Sequence, residues 1–213
     1  MKIKKITFNN FMENTFIVYD QTKECIIIDP GCYSIEEKEE LLSFININQL
    51  KPTLLINTHC HIDHIFGNNF VNKTWNTRLV INKLELEILK SAHVVAQSYG
   101  FNNYEPSPQP SKYIIEGDII TFGKSELKVL FTPGHAPGHI SLYSKKDGFI
   151  ISGDVLFMNS IGRTDLPGGD YETIIKTIKN KLLTLPKQTK VYCGHGPETT
   201  IDNEKNNNPF LRN

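Results

Sequence analysis

Residues 58–64 read "THCHIDH", so three of the chain's seven histidines, His59, His61 and His64, stand beside Asp63 in six consecutive positions. The cluster begins where "TLLINT" (53–58), an apolar run of strand length, stops. Side chains two apart on an extended loop point the same way, so His59 and His61 can share one cation. Asp63 and His64 follow on a turn that opens a short helical stretch, "DHIFGNNF" (63–70), and can reach a second cation nearby. Imidazole nitrogens with a carboxylate suit zinc, iron or manganese better than calcium or magnesium. Alone, the cluster also reads as a polar surface loop, so the rest of the chain has to decide.

Three further apolar runs end in the same kind of side chain. "LKVLFTPGH" ends in His135, "GFIISGD" in Asp154 and "KVYCGH" in His195. In layered α/β proteins, polar side chains at strand ends collect along one edge of a sheet, where the core stops and a cleft can open. His59, His61, Asp63, His64, His135, Asp154 and His195 make seven donors. One zinc takes three or four, so the count points to two metals sharing a carboxylate, for which Asp154 is the natural bridge. Water held between two such ions has its pKa pulled towards neutrality, which supplies a nucleophile without a reactive serine or cysteine. A purely structural zinc site is closed and usually rich in cysteine, unlike this donor set.

Strand-like runs ("KKITF", "TFIVYD", "CIIIDPG", "ISLYS" and the four above) are interleaved with helical patterns at 34–45, 84–97 and 170–185. Ser34 and Asp170 stand as N-caps, and Pro186 as a stop. Early strands follow one another like hairpins and later ones alternate with helices, which predicts a layered α/β domain with mixed sheets. With 213 residues, 39% hydrophobic, and no linker or repeat, a single domain over 1–213 is expected. "YEPSPQPSK" (104–112) reads as an exposed connection. Twenty-three basic residues balance 23 acidic ones, which argues against a nucleic-acid partner. No apolar run is long enough for a signal peptide or a membrane span, and the four cysteines form no CxxC pair. A cytoplasmic protein with reduced thiols is therefore expected. Cys60 and Cys193 read as small packed residues, and the oligomeric state is left open.

"THCHIDH" fits an HxHxDH motif, and "TPGHAPGH", "SGDVLF" and "CGH" follow it in order. In this the chain resembles the metallo-β-lactamase fold superfamily, and more closely its glyoxalase II-like (hydroxyacylglutathione hydrolase-like) short bacterial branch, over nearly its whole length. The resemblance implies an αββα sandwich of two mixed sheets flanked by helices. It implies one metal on His59, His61 and His135, a second on Asp63, His64 and His195, and Asp154 as bridge. The two divalent ions would be zinc first, with iron or manganese as alternatives. It further implies a hydrolase of small thioesters, first among them S-2-hydroxyacylglutathione, working by attack of metal-bridging hydroxide. Asp63 and Asp154 would be the catalytic carboxylates. His139 matches no ligand position and reads as a supporting residue, and Asp29 in "IDPG" matches a recurrent turn behind the metal loop.

Two departures bear on substrate. Glyoxalase II proper carries an additional helical domain that grips glutathione, and only residues 196–213 follow His195 here. The family's basic residue nine positions after the bridge is matched by Arg163, a candidate substrate contact, but its two usual tyrosine positions hold Asp165 and Pro197. Persulfide dioxygenases also resemble this chain, carry the "IGRTD" stretch, and use one iron held at positions matching His59, His135 and Asp154. "GHGPETT" (194–200) leans away from them.

Overall fold

A computed structural model describes residues 1–212. The chain divides into two compact units, residues 1–114 with 121–126, and residues 115–120 with 127–213.

The first unit opens with the hairpin β1 (Lys2–Phe8) and β2 (Glu13–Tyr19), to which β3 (Glu24–Ile28) adds antiparallel. Helix α1 (Ile35–Ile47) returns the chain to β4 (Lys51–Ile56), parallel to β3; α2 (Asn68–Trp75) leads to β5 (Arg78–Ile81), again parallel. After α3 (Leu86–Ser98), the two-residue β6 (Lys112–Tyr113) closes a six-stranded mixed sheet. Residues Ile26–Ile28 are fully buried, as a central strand covered on both faces requires. α1 starts where expected: Ser34 Oγ accepts from the Glu37 amide while the Glu37 carboxylate accepts from the Ser34 amide. Its Leu41 and Ile45 are buried in a core with Ile27, Leu55, Val71 and Leu79.

The second sheet runs in the order β14-β13-β10-β9-β8-β7. Its strands are β7 (Ile119–Phe122), β8 (Ser125–Phe131), β9 (Ile140–Ser144), β10 (Phe149–Gly153), β13 (Lys190–Cys193) and β14 (Thr199–Thr200). In it β10 and β13 pair parallel, while β8–β9, β9–β10 and β13–β14 pair antiparallel. A small ribbon, β11 (Leu156–Phe157) with β12 (Ser160–Ile161), leaves the end of β10. Helix α4 (Tyr171–Thr177), capped by Asp170, continues as a π-helical turn over Ile178–Leu182, and α5 (Ile201–Asn207) follows β14. Ile174, Ile178 and Leu182 pack in one core with Ile150, Val155 and Val191.

Two mixed sheets flanked by helices agree with the layered α/β expectation. Two elements differ from the sequence reading. Residues 63–70 are not one helical stretch: Ile62–His64 form a single 3-10 turn, and α2 begins at Asn68. The Gly67 amide donates to Pro30 O at 2.7 Å, which pins the chain between the two. The segment 170–185 changes from α to π after Thr177, whose hydroxyl donates to Pro133 O at 2.9 Å. Among the described residues no helix is long and apolar enough to cross a membrane.

Candidate metal centre

In the first unit, the cluster leaves the end of β4 as expected. The His59 and His61 rings stand 4.7 Å apart, and His59 and His64 4.2 Å apart. Asp63 Oδ2 lies 3.5 Å from His64 Nε2. Asp29, His59 and His64 bring donor atoms within 4.8 Å of one another, all three buried.

The hydrogen bonds around these rings fix their tautomers. Asp29 Oδ2 accepts the Thr58 hydroxyl at 2.6 Å, and Asp29 Oδ1 accepts the Thr58 amide at 2.7 Å. With its one proton so committed, Thr58 Oγ1 must accept at 3.1 Å from His59 Nδ1. His64 Nδ1 likewise faces Asp29 Oδ2 at 3.2 Å, where a carboxylate can only accept. Both rings therefore carry their proton on Nδ1 and present Nε2 as the ligating atom, the arrangement metal-binding histidines generally show.

The second unit holds the remaining predicted donors. Asp154 Oδ2 lies 3.6 Å from His135 Nε2 and 3.4 Å from His195 Nε2, so one carboxylate oxygen faces two imidazoles. His135 Nδ1 is 2.7 Å from the Arg163 carbonyl and so donates to it, again turning Nε2 to the carboxylate. Gly134 comes so close to α4 that a Cβ there would lie 2.4 Å from the Ile174 backbone, and at φ 131° a side chain would be strained as well. Its carbonyl accepts the Asp170 amide at 2.8 Å, so the loop carrying His135 is docked on the start of α4.

These spacings test the donors against a metal. Ligand atoms on a tetrahedral ion with bonds of about 2.0–2.1 Å stand about 3.3–3.4 Å apart. The three carboxylate–imidazole separations, 3.4, 3.5 and 3.6 Å, sit close to that edge. Together with imidazoles turned Nε2-inward, they fit a divalent cation.

Several supporting residues escaped the sequence. Glu13 is fully buried behind His64, its Oε1 3.8 Å from His64 Nδ1, and burial pushes its carboxyl pKa well up. Its signal was a lone acid at the start of β2, ahead of the apolar run Phe16–Val18. Glu85 Oε2 accepts the Cys60 amide at 2.8 Å, holding the metal loop from the foot of α3. Asn57 Nδ2 donates to His64 O at 3.1 Å and exchanges amide hydrogen bonds with Asn68. Arg163 was read for its side chain, yet its carbonyl orients His135 while its guanidinium forks onto Asp165 with two bonds of 2.7 Å. That fork holds the Asp165 carboxyl down at about 2. Cys60 and Cys193 are buried, and burial raises both thiols, the latter to about 12, as packed cysteines should behave.

Imidazole and carboxylate donors at coordination spacing, carried on mixed helix-flanked sheets, define a metal-binding α/β protein. The chain belongs to the metallo-β-lactamase superfamily, which residues 9–195 match, and is a hydrolase-like member of it. It is 35% identical to the hydroxyacylglutathione hydrolase GloC of Haemophilus influenzae, covering 99% of this chain and 98% of that protein. Among solved structures, TTHA1623 in a di-iron-bound form is 33% identical with a TM-score of 0.88, over 98% of this chain and 100% of that one. BLEG-1, a B3 metallo-β-lactamase, is 34% identical with a TM-score of 0.86, over 100% of both chains.

Proposed function

We propose that this chain is a dinuclear metal hydrolase of small thioesters, with S-2-hydroxyacylglutathione as the first substrate class. In this reading His59, His61 and His135 hold one ion, Asp63, His64 and His195 the other, and Asp154 bridges them. The two units then act as one domain over 1–213. The observation that carries the reading is the shared Asp154 oxygen, 3.6 and 3.4 Å from two imidazoles whose binding partners come from different strand ends. Zinc suits the donor set best, with iron or manganese accommodated.

When bound, the ions supply hydroxide at neutral pH and a Lewis acid for the thioester carbonyl. The chain's own residues do the rest. Asp154 balances the charge of two cations. Asp63 would help to hold one ion and would orient the attacking oxygen. The leaving thiolate, from a thiol of pKa about 8.5, departs with little acid assistance. Arg163 exchanges Asp165 for an anionic group on the thiol side of the substrate. Among the described residues no disulfide forms, and burial raises the Cys25 and Cys193 thiols to about 12, which suits a reducing, cytoplasmic setting.

The test is turnover of S-D-lactoylglutathione by the purified protein before and after chelation. We expect chelator-sensitive hydrolysis with kcat/KM above about 10⁴ M⁻¹s⁻¹, the lower end of ordinary enzymes. A value a hundredfold lower, with oxygen uptake on glutathione persulfide instead, would install the dioxygenase reading. Preferential opening of β-lactams would instead align the chain with BLEG-1.

A further inference from the structure

We infer that His139 is a positioning residue for Asp154, acting through a one-way relay of hydrogen bonds that begins and ends on the same strand end. This rests on the metal-centre reading above.

His139 is fully buried four residues after His135, with its ring 6.2 Å from that of His135. Its Nε2 lies 3.0 Å from the Asp154 amide nitrogen. A backbone amide can only donate, so Nε2 accepts, and the ring proton sits on Nδ1. Nδ1 is 3.0 Å from Thr132 Oγ1, which must therefore accept. The Thr132 hydroxyl proton is left to turn to Ser141 Oγ at 2.9 Å, and Ser141 donates to Ser152 O at 3.3 Å. The directions are set from both ends: the Asp154 amide can only donate to His139, and the Ser152 carbonyl can only accept from Ser141, which leaves the Thr132 proton for the bond between them.

The relay thus starts at Asp154, the residue after β10, and returns to β10 at Ser152. Between them lies Gly153, where the pairing of β10 with β13 slips register and whose carbonyl accepts the Gly194 amide at 2.8 Å. The neck of the loop is closed by the Thr132 amide donating to His139 O at 2.8 Å, next to the Phe131–Ile140 pair of β8 and β9. One loop therefore carries the ligand His135 and also the acceptor that fixes the backbone of the ligand Asp154. The two donors are set as one piece, and the residue that sets them coordinates nothing itself.

The test compares His139→Leu, which removes the acceptor, with His139→Gln, whose oxygen can accept from the amide and whose NH₂ can donate to Thr132. Zinc affinity is measured by chelator competition, and thermal midpoints are taken with and without zinc. We expect His139→Leu to weaken zinc binding 10–100-fold, the usual effect of removing a ligand's supporting partner, and to narrow the gap between the two midpoints. His139→Gln should stay within about threefold of the parent, since it restores both hydrogen bonds. A midpoint lowered equally with and without zinc, at unchanged affinity, would assign His139 to the fold alone and overturn the inference. Should His139→Leu not fold, Thr132→Val decides: it deprives the ring proton of its acceptor, and an unchanged affinity there overturns the relay. If the parent protein binds no zinc, iron or manganese, the metal-centre reading fails first and the inference falls with it.

Discussion

His64 and Asp29, 35 residues apart in sequence, meet through Nδ1 and Oδ2 at 3.2 Å, both fully buried. The same carboxylate takes the amide and hydroxyl of Thr58 at 2.7 and 2.6 Å, so one side chain orients two imidazoles, His64 directly and His59 through Thr58. Asp29→Asn keeps the volume but turns a donor towards donors. We expect metal affinity to fall 10–100-fold and the fold to lose about 1–3 kcal/mol for groups left unsatisfied. Chelator competition and urea unfolding measure the two; unchanged affinity would remove Asp29 from the centre.

Gly162 passes so close to Asp154 that a Cβ there would lie 1.8 Å from its carbonyl oxygen. Gly162→Ala must push the turn carrying Arg163 away from β10. The expected cost is about 1–3 kcal/mol of overpacking, and metal occupancy after dialysis should drop, since the Arg163 carbonyl that orients His135 moves with the turn. A variant with parental thermal midpoint and occupancy would show that the turn adapts freely.

Arg163 separates cleanly into backbone and side-chain roles. Arg163→Ala keeps the carbonyl that orients His135, so metal stoichiometry should hold while KM for an anionic thioester rises about tenfold, the lower range for one hydrogen bond to a charged group. Asp165→Asn should lower KM by releasing the guanidinium. The Asp165 carboxyl, held at about 2 by Arg163, stays ionised from pH 4 to 9, so this pair should add no inflection to the pH–rate profile in that range. A lowered kcat with unchanged KM in Arg163→Ala would assign the side chain a different task.

Asp20 clasps the turn between β7 and β8. Burial works to raise its pKa, but donors from Thr22, Lys124 and Ser125 outweigh it and hold the carboxyl at about 2. Its folded pKa lies below the unfolded value of about 3.9. Its contribution is therefore complete above pH 4 and is lost as pH falls towards 2. Asp20→Asn should destabilise the protein at pH 7 and progressively less at pH 3 and 2, read by urea unfolding. A pH-independent difference would contradict the assignment.

The major strands and three helices were legible because each is a run of apolar residues with its own period and caps. Short pieces were not. Arg78–Ile81 is four residues long and the strands at 112–113, 156–157, 160–161 and 199–200 two each, so they exist only through partners the sequence does not name. α5, "IDNEKNN", has one buried apolar residue and offers no stripe. The candidate donors were legible for a different reason: each follows a readable strand closely, and His and Asp in that place have few other uses. Their supports were not, because Glu85 meets Cys60 across 25 residues and the Arg163 carbonyl meets His135 across 28. A carbonyl, moreover, leaves no mark on the amino-acid sequence at all.

β10 and β13 run side by side in the same direction; Asp154 follows β10 directly and His195 follows β13 after Gly194 alone. Their spacing is thus inherited from the hydrogen-bond ladder itself, which tolerates little change. The turn at 158–170 is tied to the same strand end, through Gly162 against Asp154 O and the Arg163 carbonyl on His135 Nδ1. A change to either strand or to that turn is therefore passed on to the side chains at their ends, so the centre can be retuned from residues that carry no donor atom of their own.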